Sequence, residues 1–173
     1  MTELSLITRE SFDEVMRAYA DMVYRLAVSR TGNPADAEDL LQEVFLRYIR
    51  ADKTYRDEEH RKAWLLRATI NCAKSLHTSA WSRHREASAS EATLNNEGRE
   101  DERLREIETK SEVYGAVLKL PERYRVAIHL FYYEDLSVAR IAKLLGIGES
   151  AVKSRLARAR AILKDLLQED LFE

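Results

Sequence analysis

The chain has 173 residues, enough for one or two small domains, with 45% hydrophobic and 34% charged residues and a net charge of −2. Five Gly, two Pro and a single Cys (Cys72) exclude a disulfide framework and favour a mostly helical chain. No apolar run approaches eighteen residues, and the N-terminus "MTELSLITRESFDEV" lacks the basic, apolar pattern of a secretory signal, so a cytoplasmic protein with no membrane insertion is expected.

Residues 9–31 fit a helix, because Phe12, Val15, Met16, Tyr19, Met22, Val23, Leu26 and Ala27 recur at three- and four-residue spacing. "TGNP" ends it. Asn33 suits an N-cap and Pro34 a first helical position, which predicts a second helix over 34–51 burying Ala37, Leu41, Val44 and Tyr48. "KTYRDEEHR" (53–61) reads as a polar loop. A third helix over about 60–84 places Trp64, Leu65, Ala68, Ile70 and Leu76 among basic residues.

Composition then changes. "EASASEATLNNEGREDER" (86–103) has almost no large apolar residues, and residues 86–112 hold nine acids against four bases. This predicts a flexible acidic linker. Beyond it, a helix over about 107–118 and another opening at Pro121 precede the turn "EDLS". Ser137 can cap a short helix with Val138, Ile141, Ala142 and Leu145 on one face. "GIG" (146–148) breaks that helix, and a last one runs from about Glu149 towards Leu167. The expected fold class is all-α: a helical domain at 1–85, a linker at 86–109, and a second helical domain at 110–173.

A short capped helix, a glycine turn and a longer helix make a helix-turn-helix, whose second helix enters the DNA major groove. At 100° per residue, Val152, Leu156, Ala159, Leu163 and Leu166 share an inward face. Lys153, Ser154, Ala157, Arg158 and Ala161 lie opposite, with Arg155 and Arg160 at the flanks, placed to reach phosphates. Small residues let the backbone approach a groove, and long cations reach base edges and phosphates. The competing reading is a solvated basic face. A different surface lies on the second helix: Asp39, Gln42, Glu43 and Leu46, with Phe45 and Ile49 at its edge, form an apolar centre with a charged rim, suited either to protein docking or to plain solvation. No nucleophile constellation or phosphate loop appears, and Cys72, His77 and His84 lack paired metal-ligand spacing. No enzyme activity, cofactor or small-molecule ligand is expected. One alternative is a dimeric helix-turn-helix regulator that binds duplex DNA by itself.

"DAEDLLQEVFLRYIR" (36–50), "AWLLRATINCAKSL" (63–76) and "LPERYRVAIHLFYYEDLSVARIAKLLGIGESAVKSRLARARAILKDLL" (120–167) together resemble the bacterial extracytoplasmic-function sigma factors. The resemblance implies a dissociable subunit that binds core RNA polymerase, at the clamp helices and at the flap of the large subunits, and promoter DNA. It implies polymerase docking through Asp39, Gln42, Glu43, Phe45 and Leu46. Recognition and opening of the −10 element would fall to Arg61, Lys62, Arg67, Asn71 and Lys74, with a flipped-base pocket near 53–61 and Tyr55, His60 and Trp64 as flat surfaces. The −35 element would be read by Lys153, Ser154, Arg155, Ala157 and Arg158. An anti-sigma factor is the implied inhibitor. Ser75, Arg140, Ser150 and Ala151 depart from the family's usual residues, which bears on promoter sequence and not on fold, and the departures at Ser75, Ser150 and Ala151 leave open an interaction protein that keeps the fold and has lost promoter function.

Overall fold

The computed structural model describes residues 2–76 and 112–170, with side chains described for 12–74 and 112–168. The expected linker, Trp81 and the cations around it lie outside the described residues. Within them the chain is helical and contains no strand.

Three helices make the first unit: α1 (Thr2–Thr31), α2 (Pro34–Ala51) and α3 (Glu58–Leu76). The α1–α2 corner follows from local chemistry. Gly32 takes φ +70°, a conformation that costs a glycine little, and its N–H reaches the Val28 carbonyl at 2.7 Å. The Asn33 side-chain oxygen then accepts from the Ala35 and Asp36 N–H groups at 2.9 and 3.4 Å, and Pro34 fills the first turn. Asp52, also left-handed, closes α2. The helices bury Leu26, Leu40, Val44, Leu65, Leu66 and Ile70 between them.

One helix boundary and one buried stripe differ from expectation. Residues 58–61 belong to α3 because Asp57 caps it, its carboxylate accepting from the His60 N–H at 2.7 Å, while Glu58 and Glu59 favour the positive end of the helix. On α2 the buried stripe runs through Ala37, Leu40, Val44 and Phe45, while Leu41 and Tyr48 are only half-buried.

The second unit comprises α4 (Glu112–Leu118), α5 (Glu122–Ile128) with a π-helical turn at His129–Tyr133, α6 (Val138–Leu145) and α7 (Glu149–Asp170). Pro121 precedes α5 as its N-cap. The Ser137 hydroxyl accepts from the Arg140 N–H at 3.2 Å and starts α6, and Gly146 at φ +68° ends it. Val126, Leu130, Ile141, Val152, Leu156 and Ala159 form this unit's centre. Their cluster is continuous with that of the first unit, because α5 packs on α1 and α6 approaches α3.

Candidate nucleic-acid interface

The α6–turn–α7 unit has the expected two-faced second helix. Val152, Leu156 and Ala159 are buried, whereas Lys153, Ser154, Ala157, Arg158 and Ala161 are exposed, and Arg155 is half-buried beside them. Arg160 departs from expectation. Its Nε donates to the Tyr132 hydroxyl at 2.8 Å and its guanidinium lies 5.7 Å from the Phe131 ring centre. An aromatic partner within reach holds that cation away from the Lys153–Arg158 face.

Arg123 and Tyr124, at the start of α5, join Ser154, Arg155 and Arg158 around a small cleft. The Arg123 guanidinium lies 4.7 Å from the Tyr124 ring centre and donates to its hydroxyl at 2.9 Å. This adds a cation to the rim of the recognition helix. Sequence reasoning missed it, since it lies thirty-five residues from Arg158; its signal was an Arg in the first turn after Pro121.

The five cations and amides of α3 do not form one patch. Arg67, Asn71 and Lys74 are exposed at i, i+4 and i+7 and share a face. Arg61 turns to the opposite side, where it pairs with Glu58 and lies 5.3 Å from the Tyr55 ring centre. Lys62 points to the second unit, 3.8 Å from the Glu134 carboxylate.

Around Arg61 is an aromatic cluster. Tyr48 and Tyr55 stack at 5.7 Å between centroids, and Trp64 meets both edge-on at 5.8 and 6.2 Å. His60 abuts Tyr55 at 5.4 Å. Tyr55, His60 and Trp64 are half-buried, so the cluster presents flat edges to solvent while its centre is packed. Tyr19 donates to Glu58 at 2.5 Å. Burial first, and then this bond to a carboxylate, push its phenol up to about 12. Glu58 moves the other way, held below the usual carboxylate range by hydrogen bonds from Tyr19 and Arg61.

On α2, Asp39, Gln42 and Leu46 are exposed and Glu43 is half-buried, paired with Arg47 at 3.1 Å. Leu46 and Ile49 stand out as large exposed apolar residues. Phe45 does not belong to this face. It is 3% exposed and packs edge-on against Phe12 at 6.3 Å, so its place is in the core.

A second apolar surface was not expected. Val113, Tyr132, Tyr133, Leu163 and Leu167 line a groove of about 650 Å³ between α4, the π turn and the C-terminal half of α7. Val113 and Tyr132 are about half exposed there. The residues are apolar at positions that helical periodicity alone assigns to no common face, because three elements contribute them.

Residues 15–83 match the family described as sigma-70 region 2, and residues 110–163 that described as sigma-70, region 4. The ECF RNA polymerase sigma factor SigM of Mycobacterium tuberculosis (strain ATCC 25618 / H37Rv) is 32% identical over 160 residues, covering 92% of this chain and 78% of the relative. SigE of Mycolicibacterium smegmatis is 35% identical over 164 residues, covering 91% of this chain and 62% of the relative. SigM of Bacillus subtilis is 30% identical over 159 residues, covering 90% and 94%. Among solved structures, the sigma factor RpoE in complex with the anti-sigma factor NepR from Bartonella quintana superposes with a TM-score of 0.63 at 21% identity, covering 92% of this chain and 98% of that one. CnrH in complex with the cytosolic domain of CnrY gives 0.57 at 22% identity, covering 94% and 90%. These two likenesses are of fold.

Proposed function

This chain belongs to the extracytoplasmic-function sigma factors of the sigma-70 family, and from that premise we propose how its surfaces divide the work of starting transcription. As a sigma factor it directs promoter-specific initiation, a regulatory role, and we read it as carrying no catalytic activity of its own. The first domain, residues 1–85, docks on the polymerase clamp helices through Asp39, Gln42, Glu43 and Leu46. Its third helix handles the −10 element. Arg67, Asn71 and Lys74 track the strand, and the half-buried rings of Tyr55, His60 and Trp64 receive an unstacked base. Strand opening costs stacking energy, and a ring surface beside cations offsets it.

The second domain, residues 110–173, reads the −35 element through Lys153, Ser154, Ala157 and Arg158, with Arg155 and Arg123 on phosphates. Its apolar groove, lined by Val113, Tyr132, Tyr133, Leu163 and Leu167, suits the polymerase flap. The acidic residues 86–109 connect the two. The protein works where its polymerase does, in the cytoplasm; no described helix is long and apolar enough to cross a membrane. An anti-sigma factor restrains it, a reading supported by the two fold relatives solved with such partners. Copurification from resting cells is expected to bring down one stoichiometric partner besides polymerase; absence of any such partner would remove that part of the proposal.

The observation that carries the reading is the exposed small-and-cationic face of α7 set opposite its buried Val152, Leu156 and Ala159. Electrophoretic and run-off assays with and without core polymerase test it. Promoter binding that requires core polymerase supports a sigma factor. Tight duplex binding by the isolated, dimeric chain would support a conventional regulator instead.

A further inference from the structure

Arg61 faces away from Arg67, Asn71 and Lys74, and its neighbours give the reason. Glu58, exposed in the first turn of α3, has both carboxylate oxygens engaged. Its Oε2 accepts from the Tyr19 hydroxyl of α1 at 2.5 Å, and its Oε1 pairs with Arg61 Nη1. Hydrogen bonds with a charged partner are the stronger kind, so the start of α3 is tied firmly to α1. From that anchor the Arg61 guanidinium lies 5.3 Å from the Tyr55 ring centre, within range of a cation–π contact. Tyr19, Glu58, Arg61 and Tyr55 thus make one chain of contacts running from a core helix to a loop.

Tyr55, at the end of that chain, stands in the irregular stretch 52–57 between α2 and α3. Its hydroxyl is buried and has no hydrogen-bond partner, so no bond at its polar end fixes the ring. The ring is held by its faces and edges instead: by Tyr48 stacked at 5.7 Å, by Trp64 and His60 edge-on, and by Arg61. The sign of Glu58 bears on what Arg61 is for. An acid paired with Arg61 cancels the charge that the arginine would offer to a phosphate, and itself repels the strand. The arrangement suits holding a ring and not holding DNA.

We propose that Tyr19, Glu58 and Arg61 are positioning residues for base capture: they fix the Tyr55 ring for an unstacked base of the −10 element, and none of the three touches DNA. This rests on the sigma-factor reading above. A ring already fixed by its neighbours has less freedom to lose when a base stacks on it, and such preorganisation is worth about two- to ten-fold in binding. The benefit is confined to the base that meets the ring, because Arg67, Asn71 and Lys74 occupy a different face of α3.

Three substitutions break the chain at successive links. Tyr19→Phe removes the hydroxyl, Glu58→Gln replaces the charged acceptor, and Arg61→Met keeps a straight stem without its charge. Each variant is assembled with core polymerase and assayed by run-off transcription on a library of random −10 elements. Pull-down measures core binding, and thermal melting verifies folding. All three are expected to flatten the preference at one and the same −10 position by about two- to ten-fold. Preferences at the other positions and core binding are expected to match the wild type, with melting temperatures close to it. Glu58→Gln separates the readings most sharply. Removing an acid beside DNA strengthens binding if charge alone matters, whereas a positioning role predicts a loss. Unchanged preferences in folded Tyr19→Phe and Glu58→Gln would overturn the proposal. So would stronger use of every promoter by Glu58→Gln, which would make Arg61 a phosphate contact. A uniform loss at all positions that follows a lowered melting temperature would overturn it as well, leaving the chain of contacts a matter of stability. A wild type that starts no transcription contradicts the sigma-factor reading and this proposal with it; a wild type that does, with variants that behave identically, contradicts this proposal alone.

Discussion

Arg158 and Arg123 share one rim of the second domain, yet their losses are expected to look different. Arg158 stands on the outward face of α7 among small residues, so a bidentate contact to a base edge is within its geometry. Arg158→Ala is expected to cost about 1–3 kcal/mol at one −35 position, read as relaxed preference there in a binding selection. Arg123, braced on Tyr124 outside the groove-facing helix, is expected to act on phosphate. Arg123→Ala should weaken all sequences alike and reduce the salt slope by about 1. Phe45 marks a third kind of residue. Because it is buried against Phe12, Phe45→Ala is expected to lower stability by about 3–5 kcal/mol, seen in urea unfolding, with any loss of polymerase binding following from that. Tyr19 supplies a pH signature. Its phenol ionises near 12 in the folded chain and near 10 when unfolded, so the folded state holds the proton more tightly. The associated stability is full below pH 10 and is lost as pH rises towards 12. Tyr19→Phe is expected to flatten that part of an alkaline unfolding series.

At the scale of single helices, α2 carries two faces with separate duties. Leu40, Val44 and Phe45 hold the first domain together, while Asp39, Gln42, Glu43 and Leu46 look outward. Glu43→Lys replaces an i,i+4 ion pair with Arg47, worth about 0.3–0.5 kcal/mol, by a like-charge pair of about the same size. It is therefore expected to abolish core polymerase binding in a pull-down while leaving the melting temperature nearly unchanged. Unaltered binding would show that the docking face lies elsewhere. The helices were largely legible in the sequence because their ends are written in local chemistry: Asn33–Pro34, Ser137 and Gly146 stand where caps and a stop were expected. The α3 start was misplaced by two residues because Asp57 sits in a run of charged residues that reads equally as loop. Phe45 stands at the edge of the docking face in the sequence reading, and the resemblance implies a docking role for it. Periodicity alone allows the buried stripe to rotate by one position, and Phe12 of another helix decides it.

At the scale of the whole molecule, local signals stop being informative. No spacing rule pairs Arg125 with Ser29, Arg30 with Glu122, or Lys62 with Glu134, since each pair joins elements brought together only by packing. The apolar groove was equally hidden, as α4, the π turn and α7 each contribute too little to register as a face. What the sequence did carry at this scale was charge: nine acids against four bases in residues 86–112, between two slightly basic domains. A segment of that sign repels DNA phosphate, which accords with the proposal that the stretches on either side of it meet the promoter. The central claim is that these two domains, acting with polymerase, select and open promoters. Run-off transcription with purified core polymerase on a library of random −35 and −10 elements tests it most directly. Defined start sites that appear only when this chain is added are the expected result, with the selected elements giving its specificity. Binding to core polymerase with no start sites from any template would contradict the claim.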